Sequence, residues 1–185
     1  MEHFFHTIQG WFDFANIYSD RVNAASDGAH FVELGTWKGK SASYMAVEIA
    51  NSGKNIKFDC VDIWNGAGVP GEYENDASVK NQTLYEEFTK NMEPAAGYYT
   101  PVRAWTIEAA DLYAPESLDF VFVDAGHDYD SVKADLHAWL PKVKPGGWIG
   151  GHDYSWAIGV KRAVNETFTN VSTNNTSWLY QVPKK

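Results

Sequence analysis

The sequence predicts a single α/β domain built on a doubly wound, mainly parallel sheet. Apolar runs typical of buried strands alternate with stretches of helical periodicity, which is the pattern of repeated strand–helix units with right-handed crossovers. A glycine-rich turn at Gly35 and Gly39 joins the first such strand to the next helix. The 185 residues show no internal repeat and no boundary in composition, so we expect one domain over residues 1–185.

The elements are predicted in the following order. Apolar residues at helical spacing place an amphipathic helix in the N-terminal segment 1–26. The segment 63–78 is longer than an ordinary connection in a compact domain, which predicts a lid over a binding site. Strands are expected at residues 30–34, 56–62, 99–103, 118–124, 148–151, 170–172 and 178–182, and further helices at 40–51, 78–92, 131–140 and 159–168.

Composition restricts the classes of partner. The formal net charge of -9 disfavours nucleic acid or an anionic membrane as the main partner, because both require clustered lysine and arginine. No stretch has the length and apolarity of a membrane span, and the N-terminus lacks the pattern of a signal peptide, so we expect a cytoplasmic protein. The single cysteine, Cys60, lies in an apolar run and is expected to be a small buried residue.

The turn after the first strand favours a cationic or neutral ligand. Glu33 ends the strand, Gly35 lets a ligand lie close to the backbone, and Gly39 keeps the start of the helix open. Ser41 is placed to cap that helix. A phosphate-binding loop would need four residues between the glycines, a dinucleotide fingerprint would need a further glycine, and Glu33 would repel a pyrophosphate.

Ionisable residues also follow three other predicted strands, at Asp62, at Asp124 and at His152–Asp153. The carboxyl ends of parallel strands meet at one edge of a sheet, where ligands bind in open α/β folds. Asp62 stands where a carboxylate accepts hydrogen bonds from ribose hydroxyls. Asp124, His152 and Asp153 offer oxygen and imidazole ligands to a divalent ion. Alternatively, these groups only hydrogen-bond one another and cap helices.

Three further positions complete the candidate site. His127, just beyond the fourth strand, has a side chain suited to remove a proton near neutral pH. Trp105 and Thr106 follow the third strand, where an adenine ring would find an apolar contact and a hydrogen bond. Ordinary core packing is an equal alternative for Trp105. Trp64, next to Ile63, is expected beside the adenine or at the mouth of the pocket.

Four motifs together resemble a family of small, stand-alone class I S-adenosylmethionine (SAM)-dependent methyltransferases, often found near sugar-modifying and natural-product genes. The motifs are ELGTWKGKS from Glu33, VDAGHDY from Val123, LPKVKPGG from Leu140 and HDY from His152, within residues 29–168. The resemblance implies a Rossmann-like sheet of seven strands in the order 3-2-1-4-5-7-6, with the last strand reversed. The cofactor-binding set expected from it is Glu33, Gly35, Thr36, Gly39, Ser41, Asp62, Ile63, Trp64, Trp105, Thr106 and Asp124.

The chain also resembles metal-dependent catechol-type O-methyltransferases, but with two departures. In that group a strand-four Asp and a strand-five acidic pair bind magnesium, and a Lys three residues after the strand-four Asp is the base. Here His127 takes the place of the Lys, and His152–Asp153 replaces the acidic pair. The base is therefore open between His127 and His152, and a metal at Asp124, His152 and Asp153 is open as well.

The expected activity is methyl transfer to a hydroxyl of a small sugar or natural-product acceptor, with or without Mg²⁺ or another divalent ion. Two alternatives remain, a nicotinamide-dependent or other enzyme on the same fold and a SAM- or nucleotide-binding module without turnover. The missing glycine and Glu33 speak against the former. Aromatic residues of the N-terminal segment would permit a homodimer.

Overall fold

A computed structural model describes residues 1–67, 73 and 75–185 of the chain. Its centre is a seven-stranded sheet in the order β3-β2-β1-β4-β5-β7-β6. The first five strands pair in parallel, and β7 runs antiparallel to both β5 and β6. The strands are β1 His30–Leu34, β2 Lys57–Asp62, β3 Thr100–Arg103, β4 Leu118–Val123, β5 Val143–Gly151, β6 Ser172–Asn174 and β7 Ser177–Gln181. The predicted fold class, strand order and reversed last strand are confirmed.

The α-helices connect the strands and surround the sheet. They are α1 Ala15–Ala24, α2 Lys40–Ser52, α3 Ala77–Lys80, α4 Leu84–Met92, α5 Thr106–Ala109, α6 Tyr129–Trp139 and α7 Ile158–Thr167. Short 3₁₀ turns lie at Phe5–Thr7, Glu93–Ala95, Ala110–Leu112 and Leu140–Lys142. Within the described ranges, no helix combines the length and the apolarity needed to cross a membrane.

The sheet separates two hydrophobic layers, as the alternation of β4 illustrates. Phe120 and Phe122 join the layer that contains residues of α1, α2 and α4. Val121 and Val123 join the opposite layer, with residues of α6 and α7. All four side chains are buried, which confirms that the continuous apolar run is a central strand covered on both faces.

Four predicted elements are wrong in their extent. The strand predicted at 170–172 lies two residues later, at Ser172–Asn174. The N-terminal helix is interrupted, because Gly10 has a φ of +142° that no helix accommodates, and α1 begins only at Ala15. The helix predicted at 78–92 is two helices, separated at Gln82 by a left-handed residue with φ +58°. Strand β5 begins at Val143 instead of residue 148, because the Pro-Gly-Gly segment forms an irregularity in the ladder with β4 and does not end it.

The predicted lid at 63–78 lies partly outside the described residues, since 68–72 and 74 are not among them. The described end of this segment is anchored. Asp76 caps α3 by accepting the amide N–H of Ser78, and its other oxygen lies 2.7 Å from the ammonium of Lys38. Lys38, itself buried, also contacts Gln9 at 2.9 Å and Glu87 at 3.2 Å. One ammonium thus joins the N-terminal segment, the glycine turn, the end of the predicted lid and α4.

Candidate active site

Two adjoining cavities open at the carboxyl ends of β1, β2, β4 and β5. The larger, of about 630 Å³, extends over the end of β2 towards α5 and α6. The smaller, of about 340 Å³, lies over the ends of β4 and β5 beside the N-terminal segment. Gly35, Trp37, Tyr73 and Asp124 line both cavities, so the two form one continuous site with Asp124 at the junction.

The two glycines of the β1–α2 turn are required by packing. Gly35 has a φ of +83°, and a Cβ there would lie 2.1 Å from the carbonyl oxygen of Asp124. Gly39 has a φ of +92°, and its Cβ would lie 2.9 Å from the side chain of Met92. Gly35 borders both cavities, whereas Gly39 lines neither. Gly39 therefore shapes the turn and lies outside the lining of both cavities, and its predicted contact with a cofactor stays a prediction.

Ser41 does not cap α2, so that prediction is wrong. The N-cap position belongs to Gly39, which offers no side chain, and the Ser41 hydroxyl instead donates to Glu33 Oε1 at 2.5 Å. Glu33 is 1% exposed and lines neither cavity. Burial raises the pKa of Glu33 to about 8, against the opposing hydrogen bond from Ser41. Glu33 therefore lies behind the cavity wall and holds the hydroxyl of Ser41, which lines the smaller cavity. At pH 7 Glu33 is mostly a neutral carboxylic acid.

Asp62 connects the turn after β1 to the turn after β2. Its Oδ2 accepts the amide N–H of Trp37 at 2.9 Å, and its Oδ1 accepts that of Trp64 at 2.7 Å. Burial raises the pKa of Asp62, while these backbone hydrogen bonds act in the opposite direction. Asp62 lines the larger cavity, and the backbone N–H groups of Thr36 and Ile63 also hydrogen-bond to its carboxylate and fix its orientation. Its geometry fits the predicted contact with a ribose.

The prediction that Trp64 lies beside an adenine or at the mouth of the pocket is wrong. Its side chain is 2% exposed and packs against Phe88 and Tyr85, at ring-centroid distances of 4.6 and 4.9 Å. The indole N–H donates to the carbonyl of Trp37 at 2.9 Å. The backbone turns at Trp64 with a φ of +51°, and the neighbouring Ile63 lines the larger cavity instead.

Trp105 and Thr106 both line the larger cavity, as the sequence predicted for the adenine end. Trp105 is 47% exposed, which excludes the alternative that it is an ordinary core residue. The Thr106 hydroxyl is hydrogen-bonded to Asp135, a buried carboxyl of α6 that lines the same cavity. Burial raises the pKa of Asp135 to about 6. Asp135 is not among the residues predicted from the sequence, although an acid within the buried stripe of a helix is a usable signal.

Asp124, His152 and Asp153 come together as predicted. One ligand atom from each lies within 4.8 Å of the other two. His152 Nδ1 is 2.9 Å from Asp153 Oδ1 and 3.7 Å from Asp124 Oδ1. His127 Nε2 is 2.6 Å from the other oxygen of Asp153. Asp153 therefore lies between the two imidazoles, in a left-handed backbone conformation with φ +63°.

The charges of this cluster depend on one another. Burial would lower the pKa of His152, but hydrogen bonds and charge from Asp124 and Asp153 raise it to about 11. Burial would raise the pKa of Asp153, but the two imidazoles hold it well below its usual range. Burial raises the pKa of Asp124, against the hydrogen bond and charge of His152. At neutral pH the cluster thus contains an imidazolium beside at least one carboxylate.

Several partners of this cluster could not be predicted because they come from distant parts of the chain. His152 Nε2 lies 3.0 Å from Asp13 and 2.7 Å from Thr176. The indole N–H of Trp156 donates to Asp153 at 2.6 Å. The ring of Trp11, 60% exposed, lines the smaller cavity with Trp156. The members of the cluster contact one another, as the purely structural alternative predicts. They also line a cavity, which that alternative does not require.

Comparison with known proteins adds a family and a fold. Residues 32–154 match the family described as "Methyltransferase domain". Two curated relatives are 27% identical over 151 and 154 residues, or 82% of this chain. They are uncharacterized proteins, y4gI from Sinorhizobium fredii and one from Acanthamoeba polyphaga mimivirus. The chain spans only 16% of the former and 64% of the latter.

Solved structures show the same fold. The O-methyltransferase NovP is 21% identical, with a TM-score of 0.69 over 92% of this chain and 79% of its own. An O-methyltransferase from Bacillus cereus, solved in complex with SAH, is 14% identical, with a TM-score of 0.61 over 92% of this chain and 78% of its own. At these low identities, the TM-scores show a shared fold of the sheet and its helices and nothing further.

Proposed function

The chain belongs to the methyltransferase domain family of class I SAM-dependent methyltransferases, and we propose that it transfers a methyl group to a hydroxyl oxygen of a small molecule. The observation that carries this proposal is the position of Asp124, where a cavity suited to the cofactor meets a second cavity suited to an acceptor. Methyl transfer requires two ligands to meet at one point, and the two cavities share that point.

The cofactor is assigned to the larger cavity. Its volume of about 630 Å³ is in the range of sites for ligands of this size. Asp62 offers carboxylate oxygens to the ribose hydroxyls, and Trp105 offers an indole to the adenine. The amino acid tail and the sulfonium would pass Gly35 towards Asp124, whose carboxylate favours a cation. This assignment uses Thr36, Ser41 and Ile63 as further walls of the two cavities.

The chemical step is a direct displacement at the methyl carbon. The acceptor oxygen forms a bond to this carbon while the carbon–sulfur bond breaks, and the sulfur leaves with the bonding pair as S-adenosylhomocysteine. The acceptor proton is taken up by His127, whose ring is oriented by the 2.6 Å contact with Asp153. The enzyme contributes mainly alignment of the two reactants, which can supply about 7–11 kcal/mol in well-oriented systems.

A divalent ion fits the residues of the cluster. Asp124, His152 and Asp153 provide two carboxylates and an imidazole, and Asp13 supports the far nitrogen of His152 as carboxylates do at metal-bound histidines. A bound ion would orient the acceptor hydroxyl and lower its pKa. His152 would have to lose its proton first, so metal binding at neutral pH would release a proton. Without the ion, the imidazolium of His152 supplies a positive charge at the same place.

The acceptor is assigned to the smaller cavity. Trp11 and Trp156 are largely exposed there and offer aromatic faces, while Asp124 and His127 offer polar groups. This combination suits a small ring that carries hydroxyl groups, such as a sugar or a natural product. A location in the cytoplasm and the formation of a homodimer stay predictions, as does the absence of nucleic acid and membrane partners.

The test is transfer of labelled methyl from SAM to a panel of hydroxylated small molecules, with Mg²⁺, with Mn²⁺ and with a chelator. We expect product with at least one acceptor, and we expect Asp124→Asn to abolish turnover while binding of S-adenosylhomocysteine persists. Asp111→Asn, at an exposed position outside both cavities, is the matched control. Full turnover by Asp124→Asn would refute the site assignment. Cofactor binding without product from any acceptor would favour the alternative of a binding module without turnover.

A further inference from the structure

Lys40 is the only lysine or arginine among the residues described as lining the two cavities. It lies at the first position of α2 and is partly exposed on the wall of the smaller cavity. Within the described part of the chain, its ammonium has neither an ion pair nor a hydrogen bond. The nearby Lys38 differs sharply, because its ammonium is neutralised by Asp76 and Glu87. A cation without a counter-ion in a concave site indicates an anionic ligand.

The surroundings of Lys40 add donors for such a ligand. The N-terminus of α2, a helix of 13 residues, receives no side-chain cap, so the amide N–H groups of its first turn have no partner within the helix. Thr36 lines the same cavity and is only 2% exposed. Its hydroxyl has no hydrogen-bond partner among the described residues. The Ser41 hydroxyl is already used, since it donates to Glu33.

The remaining walls of the site carry mainly acidic side chains. The charged side chains of the larger cavity are all acidic, at Asp62, Glu108, Asp124, Asp130 and Asp135. The smaller cavity adds Asp153. A carboxylate of a bound ligand therefore meets carboxyl groups on most sides. The imidazolium of His152 also lines the smaller cavity, but Asp13 and Asp153 lie 3.0 and 2.9 Å from its two ring nitrogens. Lys40 is thus the cation of this cavity that has no carboxylate partner among the described residues. This distribution fits a ligand that carries positive charge near Asp124 and a single negative group near Lys40.

We propose that Lys40 binds the carboxylate of the amino acid tail of SAM, and that this contact makes the site selective for the zwitterionic tail. The proposal rests on the proposed function, which leads the tail past Gly35, and Gly35 lines both cavities. Lys40 is then a cofactor-binding residue that the sequence motif alone did not identify. An anionic group on the acceptor would suit the same ammonium, and the experiment separates the two.

The test compares two adenosine ligands that differ by one carboxylate, S-adenosylhomocysteine and its decarboxylated form, S-adenosyl-3-thiopropylamine. Calorimetric titration of the full chain with each ligand gives two dissociation constants for the wild type and for Lys40→Met. Methionine preserves much of the aliphatic stem that lies beside Gly10. Lys40→Arg keeps the charge, and Lys90→Met, on the exposed face of α4, is the matched control.

We expect the wild type to bind S-adenosylhomocysteine at least about tenfold more tightly than the decarboxylated ligand, as charge-assisted contacts allow. Lys40→Met should raise the dissociation constant of S-adenosylhomocysteine by about tenfold or more. The dissociation constant of the decarboxylated ligand should stay within about twofold of its wild-type value. Lys40→Arg should retain most of the wild-type difference in affinity between the two ligands, and Lys90→Met should retain all of it. Raising the salt concentration should reduce the discrimination of the wild type.

Two results would overturn the proposal while leaving the proposed function intact. An equal loss of affinity for both ligands in Lys40→Met would mean that Lys40 only supports the fold of the turn. An unchanged affinity for S-adenosylhomocysteine would mean that Lys40 serves the acceptor or the solvent. A wild-type protein that binds neither ligand would refute the proposed function itself, and the assignment of Lys40 would fall with it.

Discussion

Replacement of Glu33 by glutamine should stabilise the protein at alkaline pH and remove part of its pH dependence. Glu33 is buried in the layer between the sheet and α2, and burial raises its pKa from 4.5 to about 8. The folded protein therefore keeps a proton that the unfolded chain has already lost between these values. In that window the unfolded state binds fewer protons, so the free energy of unfolding falls as pH rises.

The size of the effect follows from the pKa shift. One unit corresponds to about 1.36 kcal/mol, so the shift of Glu33 is worth about 5 kcal/mol in full. Between about pH 5 and about pH 8.5 the expected loss of stability is about 4 kcal/mol, because ionisation of the unfolded chain has begun at the lower limit. Above pH 8 the folded protein ionises too, and the dependence flattens. An uncharged amide of the same shape avoids this loss entirely.

The assay is urea unfolding of the wild type and Glu33→Gln at several pH values across this window. The difference in unfolding free energy between the two proteins should change by about 4 kcal/mol in favour of the variant as the pH rises. Glu86→Gln, at an exposed position of α4, should follow the wild type throughout. Parallel curves for the wild type and Glu33→Gln would refute the conclusion that Glu33 is buried as a neutral acid.

Three further changes test other parts of the structure. Lys38→Met should destabilise the protein at pH 7 by at most about 2 kcal/mol, because Lys38 and Ser78 together lower the pKa of Asp76 to about 2 against the effect of burial. In urea unfolding this cost should persist above about pH 4 and vanish as the pH falls through about 2. A cost independent of pH would contradict the contribution of the ion pair. Gly35→Ala should prevent folding or greatly destabilise the domain in thermal unfolding, because its Cβ would overlap the Asp124 carbonyl; a near-native midpoint would disprove the packing argument. Asp62→Asn should weaken the binding of S-adenosylhomocysteine by about tenfold in calorimetric titration. An unchanged affinity would exclude the contact between Asp62 and the ribose.

The architecture was predictable because it depends on local patterns. The apolar run at β4 and the glycine turn after β1 each determine an element without reference to the rest of the chain. Ionisable residues at the ends of parallel strands then had to meet at one edge, which is why Asp62, Asp124 and Asp153 all line the two cavities there. Periodicity alone could not reveal the interruption at Gly10, since a glycine is compatible with both a helix and a bend.

Side-chain partners depended on contacts that a sequence does not display. Asp13 and Thr176 meet at His152 although 163 residues separate them, and no local signal announces such a contact. The direction of the Trp64 ring was decided by packing against α4, not by its place after Asp62. The sequence alone does not single out Lys40, because a lysine at a helix start is common on protein surfaces. Its significance comes from the mainly acidic side chains on the other walls of the two cavities.

The central claim is that the adjoining cavities bind a SAM-type cofactor, and calorimetric titration tests it most directly. The protein should be titrated separately with S-adenosylhomocysteine, NAD⁺ and ATP, each with Mg²⁺ and with a chelator. We predict micromolar affinity for S-adenosylhomocysteine and no measurable binding of the two phosphate-bearing nucleotides, because the walls of the larger cavity are acidic. Binding of NAD⁺ or ATP without binding of S-adenosylhomocysteine would contradict the methyltransferase assignment and favour another enzyme on the same fold.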